Sequence, residues 1–239
     1  MIRGIYTAAT GMMAELSRQD IIANNLANVD VVGFKSDNVS NSTFSEILLN
    51  AYNKQGVQSV GKLGLGVQMV TQFADLSNGQ IQDTGNIYDL AIQGDGLFSV
   101  ATPTGTRYTR AGNFVVDSEN YLSTKDGFRI LGENGPIQLK GKFEVTRNGE
   151  IVQNGKVIER LQLIKQSGTV KQGELLYSAK NPETTSDYQI YQGFLERSNV
   201  NSIKQMIDMI AVSRSYEMNQ RVLTAHDETL SKAVNELTR

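Results

Sequence analysis

The C-terminal end of the chain constrains the fold more than any other feature, because no glycine or proline occurs after Gly193. Ser202 lies three residues before Gln205, the spacing of a helix capping box. A helix over residues 203–237 would be about 50 Å long at 1.5 Å per residue. Such a helix is too long to be buried in one small domain. We therefore expect the helix to extend beyond that domain and to pack along its length.

Apolar residues recur along this helix at the heptad spacing of a helix packed against a partner. One heptad position holds Met209, Tyr216, Leu223, Leu230 and Leu237, and its usual partner position holds Met206, Ser213, Gln220, Asp227 and Val234. Half of the predicted contact row is therefore polar. We expect its polar members to need partners if they are buried.

A second long helix is predicted at the N-terminus, over about 26 residues and about 39 Å. Its apolar row recurs at steps of three and four residues, interrupted only by Gln19. The row consists of Ile2, Ile5, Ala9, Met12, Leu16, Ala23 and Leu26. Because Val31 and Val32 are β-branched and Gly33 readily adopts a helix-ending conformation, the helix should end near Asn28–Asp30.

Three asparagines, Asn24, Asn25 and Asn28, fall within the last turns of this helix. Asparagine is a poor helix former, but its side chain can bond backbone groups where a helix ends. We expect Asn28 to help end the helix. Asn24 and Asn25 point to different faces and could bond neighbouring subunits, or they could belong to a frayed, exposed helix end.

The middle of the chain predicts an antiparallel β domain between the two helices. Two Asn-Gly pairs, at 148–149 and 154–155, are flanked by alternating apolar residues, which is the pattern of successive β-hairpins. The predicted organisation is α+β. Its parts are an N-terminal helix in residues 1–30, an extended connector in 31–66 with a possible short helix over Thr43–Tyr52, a β domain in 67–195, and a C-terminal helix in 196–239.

Composition excludes several classes of function. The net charge of −2 provides no field that would attract nucleic acid or an anionic membrane. The absence of cysteine excludes disulfides, thiolate metal sites and a cysteine nucleophile. The N-terminus lacks a basic segment followed by an apolar stretch, and no apolar run approaches the ~18 residues of a membrane helix. We expect neither a cleaved Sec-type signal nor membrane insertion.

Candidate catalytic and metal-binding residues are few. His226 is the only histidine, and without a nucleophile motif we interpret it as a solvated residue on the helix surface. The glycine-rich stretch 61–66 has the wrong spacing for a dinucleotide or phosphate loop and is interpreted as a linker. Residues 117–127 begin like a calcium loop but carry Leu122 where the sharp turn needs glycine, which favours a hairpin connection. We predict no enzyme, no cofactor and no metal site.

Both ends of the chain resemble the signatures of flagellar axial proteins, the rod and hook family. The stretch NNLANVDVVGFK at 24–35 carries the family's N-terminal hallmark, and residues 193–219 resemble its closing signature. The stretches DLAIQGDGLFSV at 89–100 and YTRAGNF at 108–114 resemble the β domain of rod proteins. The matching motif residues outside the helices are Gly33, Phe34, Lys35, Gly193, Glu196, Ser198, Asn199 and Val200. The length favours a rod protein of the FlgF or FlgG type over the longer hook protein.

This resemblance implies a structural subunit of the bacterial flagellar basal-body rod that self-assembles into a helical tube and transmits torque. In the family, the terminal helices of one chain pack as a coiled coil inside the tube and the β domain lies outside. Leu16 and Leu26 would then meet Leu223 and Leu230. The predicted assembly interface comprises Ile5, Ala9, Met12, Leu16, Ala23, Asn24, Asn25, Leu26, Asn28, Met206, Met209, Ser213, Tyr216, Gln220, Leu223, Leu230 and Leu237.

The resemblance also implies partners and a route. The partners would be copies of this chain, other rod and hook subunits, and the flagellar type III export apparatus, which would read the N-terminal region. Alternatives remain at this point: a helical hairpin closed within one chain, a hook-type subunit, a secreted adhesin or effector, or a cell-wall-acting enzyme. The enzyme would need two carboxylates facing each other in a cleft of the β domain.

Overall fold

The computed structural model describes residues 2–43, 47–53, 56–63, 66–173 and 175–237. Two helices lie within these residues, α1 (Ile2–Ala27) and α2 (Ser202–Leu237). The ends predicted for α2 agree with the structure to within one residue, and α1 ends one to three residues before the predicted Asn28–Asp30. The central part is antiparallel β structure, which confirms the α+β class.

The strands between the helices are short. They are β1 (Asp37–Thr43), β2 (Ile47–Asn53), β3 (Gly56–Leu63), β4 (Val67–Ala74), β5 (Ile81–Asp83), β6 (Leu90–Gly94), β7 (Leu97–Thr102), β8 (Gly105–Thr109), β9 (Val115–Val116), β10 (Leu122–Ser123), β11 (Arg129–Gly132), β12 (Gly135–Pro136), β13 (Glu144–Val145), β14 (Glu150–Gln153), β15 (Lys156–Arg160), β16 (Leu163–Ile164), β17 (Thr169–Lys171), β18 (Leu176–Ala179), β19 (Tyr188–Gln192) and β20 (Phe194–Glu196).

The chain divides into two compact units. The helical unit consists of Met1–Ala27, Asp37–Phe73 and Asn201–Arg239, and the β unit of Asn28–Ser36 and Ala74–Val200. The predicted boundaries differ from this division in two places. Most of the predicted connector belongs with the helices, because β1 pairs with β4 and β2 with β3. The residues that follow α1 and those that precede α2 belong with the β unit, because hydrogen bonds described below anchor both.

The short helix expected over Thr43–Tyr52 is wrong where the structure describes this stretch. Ile47–Asn53 is strand β2, which pairs antiparallel with β3; residues 44–46 lie outside the described residues. The glycine-rich stretch 61–66, interpreted as a linker, begins within β3, and residues 64 and 65 lie outside the described part. Local capping chemistry at Thr43 was therefore overridden by strand pairing.

The β unit is built on one antiparallel sheet. Among the described residues this sheet runs in the order β17-β18-β8-β7-β11-β10-β9, with β12 paired to β11 and β16 to β7. Strands β13, β14 and β15 form a second sheet, and β19 pairs with β6 and β20 with β5. The main core between these layers consists of Leu90, Ile92, Phe98, Val100, Phe114, Leu122, Ile130, Ile137, Leu139, Phe143, Ile151, Leu161, Leu163 and Ile190.

Both predicted Asn-Gly hairpins are present. In the connection from β14 to β15, Asn154 has φ 52° and Gly155 φ 75°, the two positive values that a tight hairpin turn requires. In the connection from β13 to β14, the amide of Gly149 donates to the carbonyl of Thr146 at 2.9 Å. The predicted hairpin at 117–127 also forms, since β9 pairs with β10 and β10 with β11.

Helices α1 and α2 pack against each other within the helical unit. They run antiparallel, because Gly4 lies against His226 and Gly11 against Asn219. Near the other end, Asn25 shares a recess with Gln205. Neither helix, over its described residues, carries an apolar stretch long enough to cross a bilayer.

Candidate functional site

Over the N-terminal half of α1, the contact with α2 is made by small residues on α1, whereas the large Ile22 is buried farther along the same side. Gly4, Ala8 and Gly11 recur at heptad spacing, and a Cβ atom at Gly4 would lie 2.7 Å from Nε2 of His226. On α2, Val212 is buried and Asn219 is half-buried. The helices therefore approach each other through glycine and alanine rather than through the large apolar row predicted on α1.

Replacing Gly11 with leucine should destabilise the helical unit by about 1–3 kcal/mol. Even the Cβ atom added at this position would lie 3.3 Å from Nδ2 of Asn219, and the rest of the leucine side chain would need further space. The gain in helix propensity, about 1 kcal/mol, is smaller than this cost of overpacking. Far-UV circular dichroism of the monomer in urea measures the change. Ala23→Leu at an exposed position is the matched control and should leave the midpoint unchanged or higher.

The predicted row of α1 lies beside this contact and not at its centre. Ile5, Ala9, Met12 and Leu26 are half-buried, and Leu16 and Ala23 are exposed. The expected meeting of Leu16 and Leu26 with Leu223 and Leu230 does not occur within the chain. In the antiparallel register, Leu223 lies level with the segment between Gly4 and Gly11, far from Leu16.

The partner row predicted on α2 is also wrong for the contact within one chain. In the first predicted row, Met209, Tyr216, Leu223 and Leu230 are half-buried; the side chain of Leu237 lies outside the described residues. The second row, Met206, Ser213, Gln220, Asp227 and Val234, is exposed. The row that faces α1 beside the first contains Val212, Asn219 and His226 instead, so the exposed polar residues need no partners within the chain.

The outer face of α2 carries large apolar side chains that remain more than half exposed among the described residues. Ile203, Met206, Ile207 and Ile210 are between 51 and 70% exposed. Except for Met206, sequence reasoning missed them. The signal was present, because the apolar residues at 203, 206, 207, 209, 210 and 212 occupy more than one side of the first turns of α2, a pattern typical of a helix that is covered on more than one side.

The outer face of α1 is apolar too. Met13 is 68% exposed and Leu16 45% exposed, and they continue the row that holds Ala9 and Met12. Both helices thus use one face for each other and leave a second apolar face outward. We call residues 9–16 on this side of α1 and residues 203–210 on this side of α2 the outer faces.

The asparagines at the end of α1 have separate roles. The side chain of Asn25 is buried, donates through Nδ2 to the carbonyl of Asp37 at 2.8 Å, and accepts from the Asp37 amide at 2.8 Å. Asn25 thereby acts like a strand residue beside the start of β1 and is not free to bond a neighbouring subunit. Asn28 is buried and its carbonyl accepts from the amide of Val31, while Asn24 is exposed.

The start of α2 is capped one residue earlier than predicted. The side chain of Asn201 accepts from the amide of Lys204 at 3.0 Å, and its carbonyl accepts from the amide of Gln205. Asn201 is therefore the N-cap. Ser202 is the first helical residue and does not form the predicted capping box.

Three charged side chains meet in the interior of the β unit. Lys35, Arg110 and Glu196 are each at most 2% exposed. Nζ of Lys35 donates to one carboxylate oxygen of Glu196 at 2.7 Å, and Nε of Arg110 donates to the other. We call these three residues the ion cluster. It joins the segment that follows α1, the segment that precedes α2 and a loop of the β unit.

The side chains of the ion cluster form further hydrogen bonds besides those to one another. The amide of Gly79 donates to Glu196 at 2.6 Å, and Nζ of Lys35 also donates to the carbonyl of Ser77 at 2.7 Å. The guanidinium of Arg110 donates to the carbonyl of Ile92 at 2.6 Å and to Oδ1 of Asn78 at 3.0 Å. Such complete pairing is what a buried ion group needs in order to be tolerated.

The ion cluster holds two cations and one carboxylate, and its electrostatics follow from that imbalance. Burial alone would raise the pKa of Glu196, but the charges of Arg110 and Lys35 hold this pKa below its ordinary value of 4.5. Burial lowers the pKa of Lys35 from its ordinary value of 10.5, and Glu196 only partly opposes that shift. The carboxylate is therefore strongly stabilised in its ionised form.

Other motif residues surround the ion cluster. Oδ1 of Asn199 accepts from the amide of Ser36 at 2.8 Å, and its Nδ2 donates to the carbonyl of Asp75 at 2.8 Å. Gly33 has φ +70°, and a Cβ there would lie 2.5 Å from the backbone nitrogen of Ala111. The signatures at the two ends of the chain thus converge on one place in the β unit.

The remaining motif residues complete this arrangement. The ring of Phe34 is buried beneath Nζ of Lys171, 4.2 Å from the ring centre. Ser198 accepts from the amide of Val200, which is itself buried. Gly193 has φ +84°, in the region that favours glycine. These residues build the anchors of the two helices.

The structure corrects the interpretation of His226 and provides little support for a catalytic function. His226 is half-buried against Gly4 rather than solvated. In the part of the chain that is described, no group of three or more potential metal ligands occurs. A surface groove of about 340 Å³ contains one carboxylate, Glu133, whose nearest cation is Arg160 at 4.0 Å. That groove does not provide the carboxylate pair of a glycosidase.

Comparison with known proteins matches nearly the whole chain. The family described as "Flagella basal body rod protein" matches residues 5–35, "Flagellar hook protein FlgE/F/G D1 domain" matches 91–191, and "Flagellar basal body rod FlgEFG protein C-terminal" matches 191–236. Flagellar basal-body rod protein FlgG of Bacillus subtilis is 32% identical over 98% of this chain and 99% of its own length. Flagellar basal-body rod protein FlgF of Rhizobium meliloti is 32% identical over 99% of this chain and 98% of its own length.

Proposed function

This chain belongs to the flagellar basal-body rod protein family and is a structural subunit of the rod, and on that premise we propose that its helical unit drives self-assembly. The observation that supports this most directly is the apolar outer face of α2, where Ile203, Ile207 and Ile210 are more than half exposed. These exposed apolar side chains do not stabilise the monomer. Covering them with another subunit removes their apolar surface from water.

The interface we propose keeps much of the predicted set and changes the rest. It retains Ile5, Ala9, Met12, Leu16, Ala23, Asn24 and Leu26 on α1, and the exposed Met206, Ser213 and Gln220 on α2. It adds Ile203, Ile207 and Ile210. Met209, Tyr216, Leu223 and Leu230 stabilise the helix pair, and Asn25 and Asn28 support the end of α1.

The proposed assembly is a helical tube with the terminal helices paired as a coiled coil at its centre. Contacts between two different surfaces of one subunit do not close on themselves and generate a filament. Torque would be carried by many small packed contacts along helices about 50 Å long, which resist twisting together. The ion cluster would keep the segments that lead out of α1 and into α2 anchored to the β unit under load.

We further propose that the subunit reaches this location through the flagellar type III export apparatus, with the N-terminal region as the signal, and is not an enzyme. Family membership places it in the flagellar basal body, together with other axial subunits. No chemical step is needed for the function, because assembly uses only surface burial and directional contacts.

The test replaces Ile207 and Ile210 with aspartate in a motile bacterium whose own copy of the gene is deleted. We expect a folded subunit that no longer builds rods, because two buried carboxylates would face an apolar surface. Swimming should be lost, and images of isolated basal bodies should lack the rod segment made by this protein.

Val170→Asp in the β unit is the control for exposure, since Val170 is exposed to a similar degree at 64%; it adds one negative charge where the double variant adds two. Strains with this variant should swim and build rods. Circular dichroism of the purified double variant should match that of the unmodified protein. Normal rods in the Ile207→Asp, Ile210→Asp strain would contradict the proposal.

A further inference from the structure

The outer faces of α1 and α2 match each other in length and spacing, and this match identifies their partners. On α1, apolar residues lie at 9, 12, 13 and 16, and on α2 at 203, 206, 207 and 210. Both sets follow the pattern i, i+3, i+4, i+7, which forms one two-turn patch on a helix. Each patch faces away from the contact between the two helices of the same chain.

Filament symmetry restricts how two such patches can meet. Copies in a helical filament are related by rotation about one axis and translation along it. Neither operation reverses the direction of a helix along that axis. Because α1 runs antiparallel to α2 within one chain, the α1 of a neighbouring copy must also run antiparallel to α2.

We propose that, in the assembled rod, the outer face of α2 packs against the outer face of α1 from a second copy of this chain. This inference rests on the proposed function and specifies its interface. The antiparallel register places Leu16 of the second copy beside Ile203 and Ala9 beside Ile210. Met12 and Met13 then lie beside Ile207 and Met206, so each apolar side chain of one patch meets one of the other.

The charges next to the patches favour the same register. Asp20 is exposed and follows Leu16 by one turn on the same side of α1. In this register the Asp20 carboxylate of the second copy lies beside the N-terminus of the first copy's α2. The first turn of α2 contains no acidic residue of its own, and a carboxylate near the free amides of a helix N-terminus is stabilising. A parallel arrangement would place Asp20 away from this end.

The absence of cysteine allows a direct test by disulfide formation in rods of living cells. Chains carrying both Leu16→Cys and Ile203→Cys should form a ladder of covalent multimers on non-reducing gels after mild oxidation. Ala9→Cys with Ile210→Cys has the same register and should behave alike, which provides a second pair if one set of cysteines disturbs assembly. Each single-cysteine chain should stay monomeric on the gel.

Two other pairs distinguish the alternatives. Leu16→Cys with Ile210→Cys would cross-link only in a parallel register, and Ile207→Cys alone would form dimers only if the α2 helices of two copies met. Either result would overturn the inference, as would rods of normal length in which neither expected pair forms a ladder. These outcomes leave the proposed function intact, whereas normal rods from the Ile207→Asp, Ile210→Asp variant would reject the proposed function itself.

Discussion

Replacing Glu196 with glutamine is expected to destabilise the β unit by about 3–5 kcal/mol, the cost of removing one partner from a buried ion group. Glutamine keeps the size and one acceptor oxygen of the side chain. It leaves Lys35 and Arg110, each at most 2% exposed, without a counter-charge. Chemical denaturation followed by tyrosine fluorescence and circular dichroism measures the loss.

The matched control is Glu183→Gln, because Glu183 pairs with Lys165 at 3.3 Å on the surface, where the carboxylate side chain is 72% exposed. Exposed pairs contribute about 0–1 kcal/mol, so this variant should remain close to the unmodified protein. If Glu196→Gln destabilised the β unit no more than Glu183→Gln does, the ion cluster would not be the anchor we describe.

The pH dependence provides an independent check of the same group. Because the pKa of Glu196 lies below its ordinary value of 4.5, its ionised form stabilises the folded state above that value. This contribution is lost as the pH falls from there through the lowered pKa. The unmodified protein should therefore lose more stability on acidification than Glu196→Gln does, and the difference between the two should shrink. A constant difference across acid pH would contradict a lowered pKa.

Sequence reasoning predicted the parts of this molecule that depend on local periodicity. Helix α2 was predicted over 203–237 and observed over Ser202–Leu237, because a long heptad pattern without glycine or proline has few alternatives. The hairpins at the two Asn-Gly pairs were equally local, since the positive φ angles select those residues. The family resemblance was likewise confirmed.

The predictions that failed concerned which side of α1 contacts which side of α2. Periodicity alone predicts that the large residues Ile5, Met12 and Leu16 form the contact row of α1. The structure uses the small residues Gly4, Ala8 and Gly11 there, since close approach of two helices is easier over small side chains. Large apolar residues then remain on the outer side of α1 for a second partner. A search for one apolar row cannot reveal this second apolar side.

The ion cluster could not be predicted because its members are distant in sequence. The sequence identifies Lys35 and Glu196 only as motif residues, and it gives no separate sign of a role for Arg110 within the stretch YTRAGNF. A lone charged residue beside glycine or phenylalanine gives no local sign of burial. Only the tertiary fold shows that both cations bond the same carboxylate, and it explains why motifs at the two ends occur in one chain.

Gly112 in the same stretch should tolerate no side chain at all. A Cβ atom there would lie 1.7 Å from the carbonyl oxygen of Leu90 and 2.8 Å from its carbonyl carbon. Both are backbone atoms, and the carbonyl of Gly112 accepts from the amide of Leu90 at 3.0 Å. Alanine can relieve the clash only by separating these two segments, which breaks that bond beside the main core. We expect Gly112→Ala to cost more than about 3 kcal/mol, at the upper end of overpacking effects.

Gly96→Ala provides the matched control for this substitution. A Cβ at Gly96 would meet only side-chain atoms, the nearest at 3.4 Å from Ile92, an ordinary contact distance. Its carbonyl would still accept from Arg110. The unfolding temperature of Gly96→Ala should stay near that of the unmodified protein, while Gly112→Ala should unfold at least about 6 °C lower or fail to fold, given about 2–4 °C per kcal/mol for a protein of this size. Equal unfolding temperatures would mean that the segments at Leu90 and Gly112 are not packed as closely as described, and Arg110, two residues away, would then lack the rigid support that the ion cluster requires.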